Sequence, residues 1–188
     1  VVLLAWQLGT GLRTIVLAHE RAAPDWAPPP DPNAVLVINH DILVPPLWAK
    51  KQPPPADAWV ARLAALRPRL LVGDEAQAFT NPDAARTRAF RWLARRCPRA
   101  LLLSGTPLAN RPGDMWPLLN ILWPEEFPSL FEFGSRYAYP VKERGEWVYK
   151  GARNLGELNA LLRRLGMLRR RKEDVLRDLP ALRHDVVP

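Results

Sequence analysis

A single cysteine, Cys97, in 188 residues excludes an internal disulfide and any multi-cysteine zinc site. The three histidines, His19, His40 and His184, are scattered with no metal-ligand spacing. No apolar run approaches the ~18–20 residues of a membrane span, and the opening Val1-Val2-Leu3-Leu4-Ala5 has neither the basic region of a signal peptide nor an initiator Met. The expectation is a soluble, intracellular protein or a piece of one. Acid is scarce relative to base. Asp+Glu 19 against Lys+Arg 27 leaves +8, which favours an anionic partner such as nucleic acid and says nothing of the fold.

Hydrophobic residues at 48% and charged residues at 24% are ordinary globular usage, so wholesale disorder is excluded. The length suits one domain, 1–188, able to bury roughly two thirds of its unfolded surface. Proline is abundant instead. Ten of the 21 lie between Pro24 and Pro55, and because proline removes a donor and fixes φ, 21–34 and 44–55 read as extended connectors. Six Arg and no acid lie between Arg86 and Arg99, while 151–188 holds nine Lys/Arg against five Asp/Glu.

Four short apolar runs, Val1–Ala5, Val35–Ile38, Leu70–Val72 and Ala100–Leu103, suit strands buried in a parallel sheet. Helical periodicity fills Ala56–Leu66 and Ala84–Arg96, and Asn154-Leu155-Gly156-Glu157 reads as a capping box opening a further helix. Alternating strands and helices imply an α/β fold, mostly parallel with helices on both faces, which binds ligands at the carboxyl ends of its strands.

Each strand end carries a candidate motif. Gly9, Thr10, Gly11, Leu12, Arg13 and Thr14 follow the first run, as a glycine turn closing around phosphate would. A working loop needs Lys and Ser/Thr, so either Leu12 occupies the Lys position or Arg13-Thr14 takes the Lys-Thr roles; an ordinary tight turn is the alternative. Asp74 and Glu75 follow the third run. In a phosphate-hydrolysing site the first carboxylate holds magnesium and the second activates water, the alternative being a solvated strand terminus. Ser104, Gly105 and Thr106 follow the fourth run, where hydroxyls can bond to the acids.

Together these motifs resemble the first RecA-like lobe of the Swi/Snf-type DNA-dependent ATPases of helicase superfamily two. Val35–Leu43 is similar to the family's "VINYDIL" segment, Leu71–Gln77 to its DEAH/DEAQ box, and Asn81-Pro82 to its "KNP" continuation. Leu101–Leu108, Asn110-Arg111-Pro112 and Trp116–Leu122 resemble "LLLTGTPLxNRPxxLWxLLNxL". Pro124–Phe127 and Met167–Val175 resemble "PEEF" and "MLRRxKEDV", so the likeness runs nearly unbroken from Val35 to Pro188, with an annealing-helicase-related flavour. The resemblance implies ATP bound at Gly9–Thr14, Mg2+ held by Asp74 through water, Glu75 as catalytic base, and Gln77, Ser104, Gly105 and Thr106 as coupling residues. It also implies duplex DNA and a second RecA-like lobe as partners, and a cytoplasmic or nucleoid location if prokaryotic, nuclear if eukaryotic.

Three features depart from the family pattern. The loop reads Gly-Thr-Gly-Leu-Arg-Thr rather than Gly-x-Gly-Lys-Thr; only 20 residues separate Thr14 from Val35; and the chain ends at Pro188, where a linker to the second lobe should begin. A single, internally shortened lobe with one strand fewer is therefore an open alternative, as is a chain inactive by itself. A catalytically dead fragment that binds DNA or a partner lobe is the rival function. An unrelated nucleotide binder is disfavoured by the match from Ser104 to Leu122. Arg86, Arg88, Arg91 and Arg95 are candidate DNA contacts, against a solvated helix face. Trp59, Trp92 and Trp116 read as core, and Cys97 as a structural thiol unless its neighbouring arginines lower its pKa.

Overall fold

A computed structural model describes residues 14–18 (backbone only), 35–44, 52–105, 111–143 and 145–170. Two units emerge, 1–153 and 154–188.

The first unit is built on a four-stranded parallel sheet: β1 (Thr14–Ala18), β2 (Val35–Asn39), β3 (Leu70–Gly73) and β4 (Ala100–Leu102), in the order β2-β1-β3-β4. Three of these strands are the apolar runs at Val35, Leu70 and Ala100. The fourth is a correction. The sequence motif makes Thr14 the end of a phosphate loop opening a helix, yet Thr14–Ala18 is a strand hydrogen-bonded on both sides, to β2 and to β3. Thr14, Ile15 and Val16 are β-branched, which favours an extended backbone over a helix, and a central position adds ladder bonds on both flanks. Val1–Ala5 and Gly9–Arg13 lie outside the described residues, as do 21–34, 45–51 and Thr106.

Helices α1 (Trp59–Ala65) and α2 (Ala85–Ala94) follow the apolar periodicity of their segments. They pack with α3 (Pro112–Leu122) on one sheet face. Leu36, Ile38 and Leu71 meet Val60, Leu63, Phe90, Leu93, Leu118 and Ile121 there, while the alternating residues Leu70 and Val72 turn to the other face beside Val35, Val37, Leu101 and Leu103. Phe79 and Phe90 sit at the centre with ring centroids 4.4 Å apart. At about 25 cal/mol per Å², each fully buried Phe or Leu contributes roughly 1.5–3 kcal/mol.

Beyond α3, Ser129 caps α4 (Leu130–Tyr137) by accepting the Glu132 N–H at 3.3 Å. Trp116 Nε1 and Asn120 Nδ2 both donate to the Phe127 carbonyl, at 3.1 and 2.9 Å, fixing the turn between the helices. An antiparallel hairpin, β5 (Tyr139–Glu143) and β6 (Glu146–Lys150), lays Tyr149 against the glycines of α3 and α4.

In the second unit α5 (Leu155–Arg164) starts where the sequence predicts a capping box, but by another means. Asn154 is left-handed (φ 52°, ψ 30°) and its side chain makes no cap bond, because a capping side chain needs an extended backbone at that position. The helix ends in a Schellman pair, Gly166 N–H to Arg163 O at 3.2 Å and Met167 N–H to Leu162 O at 2.9 Å.

Candidate functional site

The chain direction reverses across the sheet at β1: β2 lies on one side of it and β3 on the other. Parallel α/β sheets open a crevice at such a switch point, at the carboxyl ends of the strands. Gly73 closes β3 there, opposite Leu17 of β1, and Asp74 and Glu75 follow it.

Backbone bonds shape the acidic pair. Leu103 donates its N–H to Gly73 O at 2.8 Å and accepts the Ala76 N–H at 2.9 Å. One residue past β4 thus brackets the two acids and extrudes them as a short loop. Glu75 takes a left-handed backbone (φ 50°, ψ 52°), at a cost of roughly 1–2 kcal/mol for a residue with a Cβ. Such strain persists where surroundings over-determine it. Here they do: the 3₁₀ turn Ala76–Phe79 is rooted by buried Ala76 and Phe79, and Phe79 meets His40 edge-on at 5.7 Å as well as Phe90.

Side chains then join the strand ends. Ser104 Oγ donates to Gln77 Oε1 at 2.7 Å, and Gln77 Nε2 donates to Glu75 Oε2 at 2.5 Å. The amide uses both of its polar ends, so a hydroxyl after β4 is linked to the carboxylate after β3. Asp74 is half-buried beside an exposed Glu75. Gly105 is exposed next to Ser104. At the end of β2, Asn39 Oδ1 accepts the Asp41 N–H at 2.8 Å, and Asp41 pairs with Arg86 at 3.4 Å.

Two neighbouring carboxylates are hard oxygen donors of the kind Mg2+ takes, and Mg2+ is commonly held by one or two carboxylates with phosphate and water completing its shell. No group of three or more His, Cys, Asp or Glu that could cage a metal forms among the described residues. The adjacent carboxylates of Asp74 and Glu75 fit the one or two carboxylates that Mg2+ takes.

The structure thus gathers Asp74, Glu75, Gln77 and Ser104. Thr14 is not among them. It opens β1 level with Leu70, at the amino end of the sheet, four residues and so about 13 Å along the strand from Asp74. The arginines of α2 divide. Arg86 is taken up by Asp41 and Arg91 lies over the Trp116 ring at 5.5 Å, with Arg88 half-buried and Arg95 exposed. Burial first, and then the Arg95 charge, lower the Arg91 pKa, against a smaller opposing pull from Asp83. Trp116 is core as its spacing predicts, whereas Trp59 and Trp92 are half-buried under Arg62 and Arg96. Burial raises the Cys97 thiol from 9.0 to about 11, so its two neighbouring arginines do not activate it. Sequence reasoning missed Leu103, whose contribution is entirely backbone; only its position one residue before Ser104 points to it.

Comparison with known proteins gives the same family from several directions. The profile described as the SNF2-related domain matches residues 40–187. The SWI/SNF-related matrix-associated actin-dependent regulator of chromatin subfamily A-like protein 1 of Bos taurus is 40% identical over 113 residues, 60% of this chain and 12% of that protein. Its Caenorhabditis elegans homolog is 34% identical over 152 residues, 81% of this chain and 19% of that protein. The human DNA annealing helicase and endonuclease ZRANB3 is 32% identical over 116 residues, 60% and 11%. The chain thus spans between 11% and 19% of these relatives. The Sulfolobus solfataricus SWI2/SNF2 ATPase core in complex with dsDNA shares the fold, with a TM-score of 0.61 and 20% identity over 93% of this chain and 37% of that one. No described helix is long and apolar enough to cross a membrane.

Proposed function

The chain belongs to the SNF2-related domain family, and from that premise we propose that it forms the ATP-binding first lobe of a DNA-dependent ATPase that moves on duplex DNA or remodels protein–DNA complexes. The observation that carries this reading is the Ser104–Gln77–Glu75 chain of hydrogen bonds beside Asp74 at the switch point.

Asp74 would hold Mg2+ through water, and the ion would supply charge neutralisation at the phosphate oxygens. Glu75 orients the attacking water. Its Oε2 is engaged by Gln77, which leaves Oε1 to take the proton. Gln77 fixes the rotamer of Glu75, and Ser104 fixes Gln77, so a displacement at the end of β4 reaches the carboxylate through two hydrogen bonds. Gly105 and Thr106 belong to the same coupling segment. Gly9–Arg13 cradles the phosphates, with Arg13 in place of lysine. A second RecA-like lobe completes the cleft in which ATP is turned over. DNA contact at the end of α2 falls to the exposed Arg95, and the setting is wherever the DNA is: nucleoid in a prokaryote, nucleus in a eukaryote.

One observation favours a second reading. Thr14 stands at the opposite end of the strands from Asp74, as in a lobe that has lost its phosphate cradle and binds DNA or a partner lobe without turnover. Calorimetric titration of Mg-ATP into the chain, with Asp74→Ala as control, separates the two. Heat of binding that weakens in the variant supports the ATPase lobe. A folded chain with no binding sinks the nucleotide site and leaves the second reading.

A further inference from the structure

The hairpin β5–β6 takes no part in that chemistry, and its two outer edges are unlike. Only two residues separate the strands, with Glu143 opposite Glu146. A pair that borders so short a turn is joined by mutual N–H···O bonds, and bonded pairs alternate along an antiparallel ladder. Glu146, Val148 and Lys150 therefore turn their backbone N–H and C=O groups towards β5, and Trp147 and Tyr149 turn theirs away from it. On β5 the outward-turned residues are Pro140 and Lys142. Proline has no N–H to offer and lysine discourages strand addition, so this edge is blunted. The β6 edge carries neither device. Two donors and two acceptors stand along it, and the sheet ends there among the described residues.

The sequence of β6 complements itself. Laid antiparallel about Val148, Glu146-Trp147-Val148-Tyr149-Lys150 sets Glu146 opposite Lys150 of a second strand at both ends, Trp147 opposite Tyr149 twice, and Val148 opposite Val148. The Trp147–Tyr149 pairs are the ones whose backbone groups face outward, so this register uses all of them, in four hydrogen bonds. Registers centred on Trp147 or Tyr149 use half. Within one hairpin Glu143 and Glu146 are directly opposite, a destabilising pair of like charges. The self-paired register brings Lys150 of the second strand beside them. Lys150 is exposed and pairs with Glu143 of its own hairpin, and an ammonium has three donors to share. The same register joins Val141 and Val148 of both hairpins in one apolar row across four strands. Four of the six large exposed apolar side chains of the described residues, Phe131, Tyr139, Val141 and Trp147, lie on this hairpin or against it, so the surface beside the open edge is one that gains by burial.

We propose that β6 pairs with β6 of a second copy of this chain, making one four-stranded antiparallel sheet across a two-fold axis. A two-fold interface presents the same patch from both sides, so it requires a strand that complements itself in charge and in hydrogen bonding. An unrelated strand gains the backbone bonds without both Glu146–Lys150 ends. The interface is independent of nucleotide chemistry and stands whether or not the chain binds ATP.

Sedimentation equilibrium of the full 188-residue chain over a roughly hundredfold range of concentration tests it. The parent moves from 21.3 kDa towards twice that mass as concentration rises. Glu146→Lys alone sets lysine opposite lysine at both ends, and Lys150→Glu alone sets acid opposite acid, so each variant dimerises roughly tenfold more weakly. An equimolar mixture of the two restores both oppositely charged ends and forms the heterodimer, and the double variant Glu146→Lys/Lys150→Glu recovers the parental affinity. In the parent itself, amide exchange at Trp147 and Tyr149 slows as concentration rises, while that of Lys142 on the blunted edge does not. A parent that stays at 21.3 kDa throughout would overturn the proposal, in favour of a strand from another protein. So would a dimer that both single variants retain undiminished, a mixture no stronger than either variant alone, or Trp147 and Tyr149 amides that exchange at one rate at every concentration.

Discussion

Replacing Gly73 with alanine tests how closely the acidic pair depends on the packing beneath it. An added methyl would stand 2.8 Å from Leu102 Cδ2 and 3.0 Å from both Cε2 and Cζ of Phe90. Carbon atoms rest at about 3.5–4.0 Å, so the overlap is roughly 0.5–1 Å on two sides. The Leu102 methyl is the end of a half-exposed side chain and can rotate. Phe90 cannot give way as cheaply, being fully buried with its ring 4.4 Å from that of Phe79. Overpacking of this kind costs about 1–3 kcal/mol, and exchanging glycine for alanine within a strand returns about 0.5–1. The expected net loss is about 1–2 kcal/mol. In urea, with m about 1–3 kcal/mol/M, that lowers the midpoint by about 0.3–2 M at unchanged m. Combining Gly73→Ala with Phe90→Leu relieves the ring contact, so the double variant is more stable than the sum of the singles by at least about 0.5 kcal/mol. A midpoint that holds or rises, or strict additivity, would refute the reasoning.

Three further outcomes follow from other contacts. In Gly134→Ala the new methyl would overlap the Tyr149 ring. The ring leaves its seat, the fluorescence of Trp147 on the same strand shifts, and stability falls by about 1–3 kcal/mol. Adding Tyr149→Ala abolishes the clash, and no recovery would count against it. Gln77→Leu severs both links between Ser104 and Glu75. Glu75 is exposed, so the lower end of the range for charge-assisted bonds applies. DNA-stimulated turnover of the parent motor should fall roughly tenfold with Mg-ATP affinity unchanged; equal losses in both would tell against a coupling role. For Cys97, raised by burial from 9.0 to about 11, thiolate appears in the native chain only as pH climbs towards 11. Alkylation at pH 8 is then about a hundredfold slower than in the unfolded chain, since each pKa unit is a factor of ten. A rate that levels off near pH 9 would contradict this.

The parts legible in the sequence are those where a single pattern dominates. The runs at Val35, Leu70 and Ala100 are apolar on every residue because both faces of a parallel sheet exclude water, and Trp59–Ala65 and Ala85–Ala94 show their helical stripe plainly. Thr14–Ala18 is masked by the glycines before it, which invite a loop-to-helix reading over the β-branched signal. The hairpin is illegible for a different reason. Tyr139, Val141 and Trp147 are exposed alongside Lys142, Glu143 and Lys150, and Lys150 pairs with Glu143, so no alternation of buried apolar and exposed polar residues marks it. At the site, Asp74, Glu75, Gln77 and Ser104 are visible as side chains. The left-handed turn at Glu75 and the two backbone hydrogen bonds that Leu103 makes with Gly73 and Ala76 are not, since neither has a side-chain signature. Arg86 and Arg91 illustrate the converse. Residue type suggests phosphate contacts, but Asp41 and Trp116, distant in sequence, occupy them.

The pair of backbone bonds at Leu103 gives the loop a built-in clock. The amide hydrogens of Leu103 and Ala76 can exchange with deuterated solvent only when the ends of β3 and β4 part, whatever side chains surround them. Their exchange time therefore reports the free energy of that separation by itself. Compared with that of the Leu71 amide at the other end of the same two strands, it tells whether the strands unzip from the acidic end or open as one.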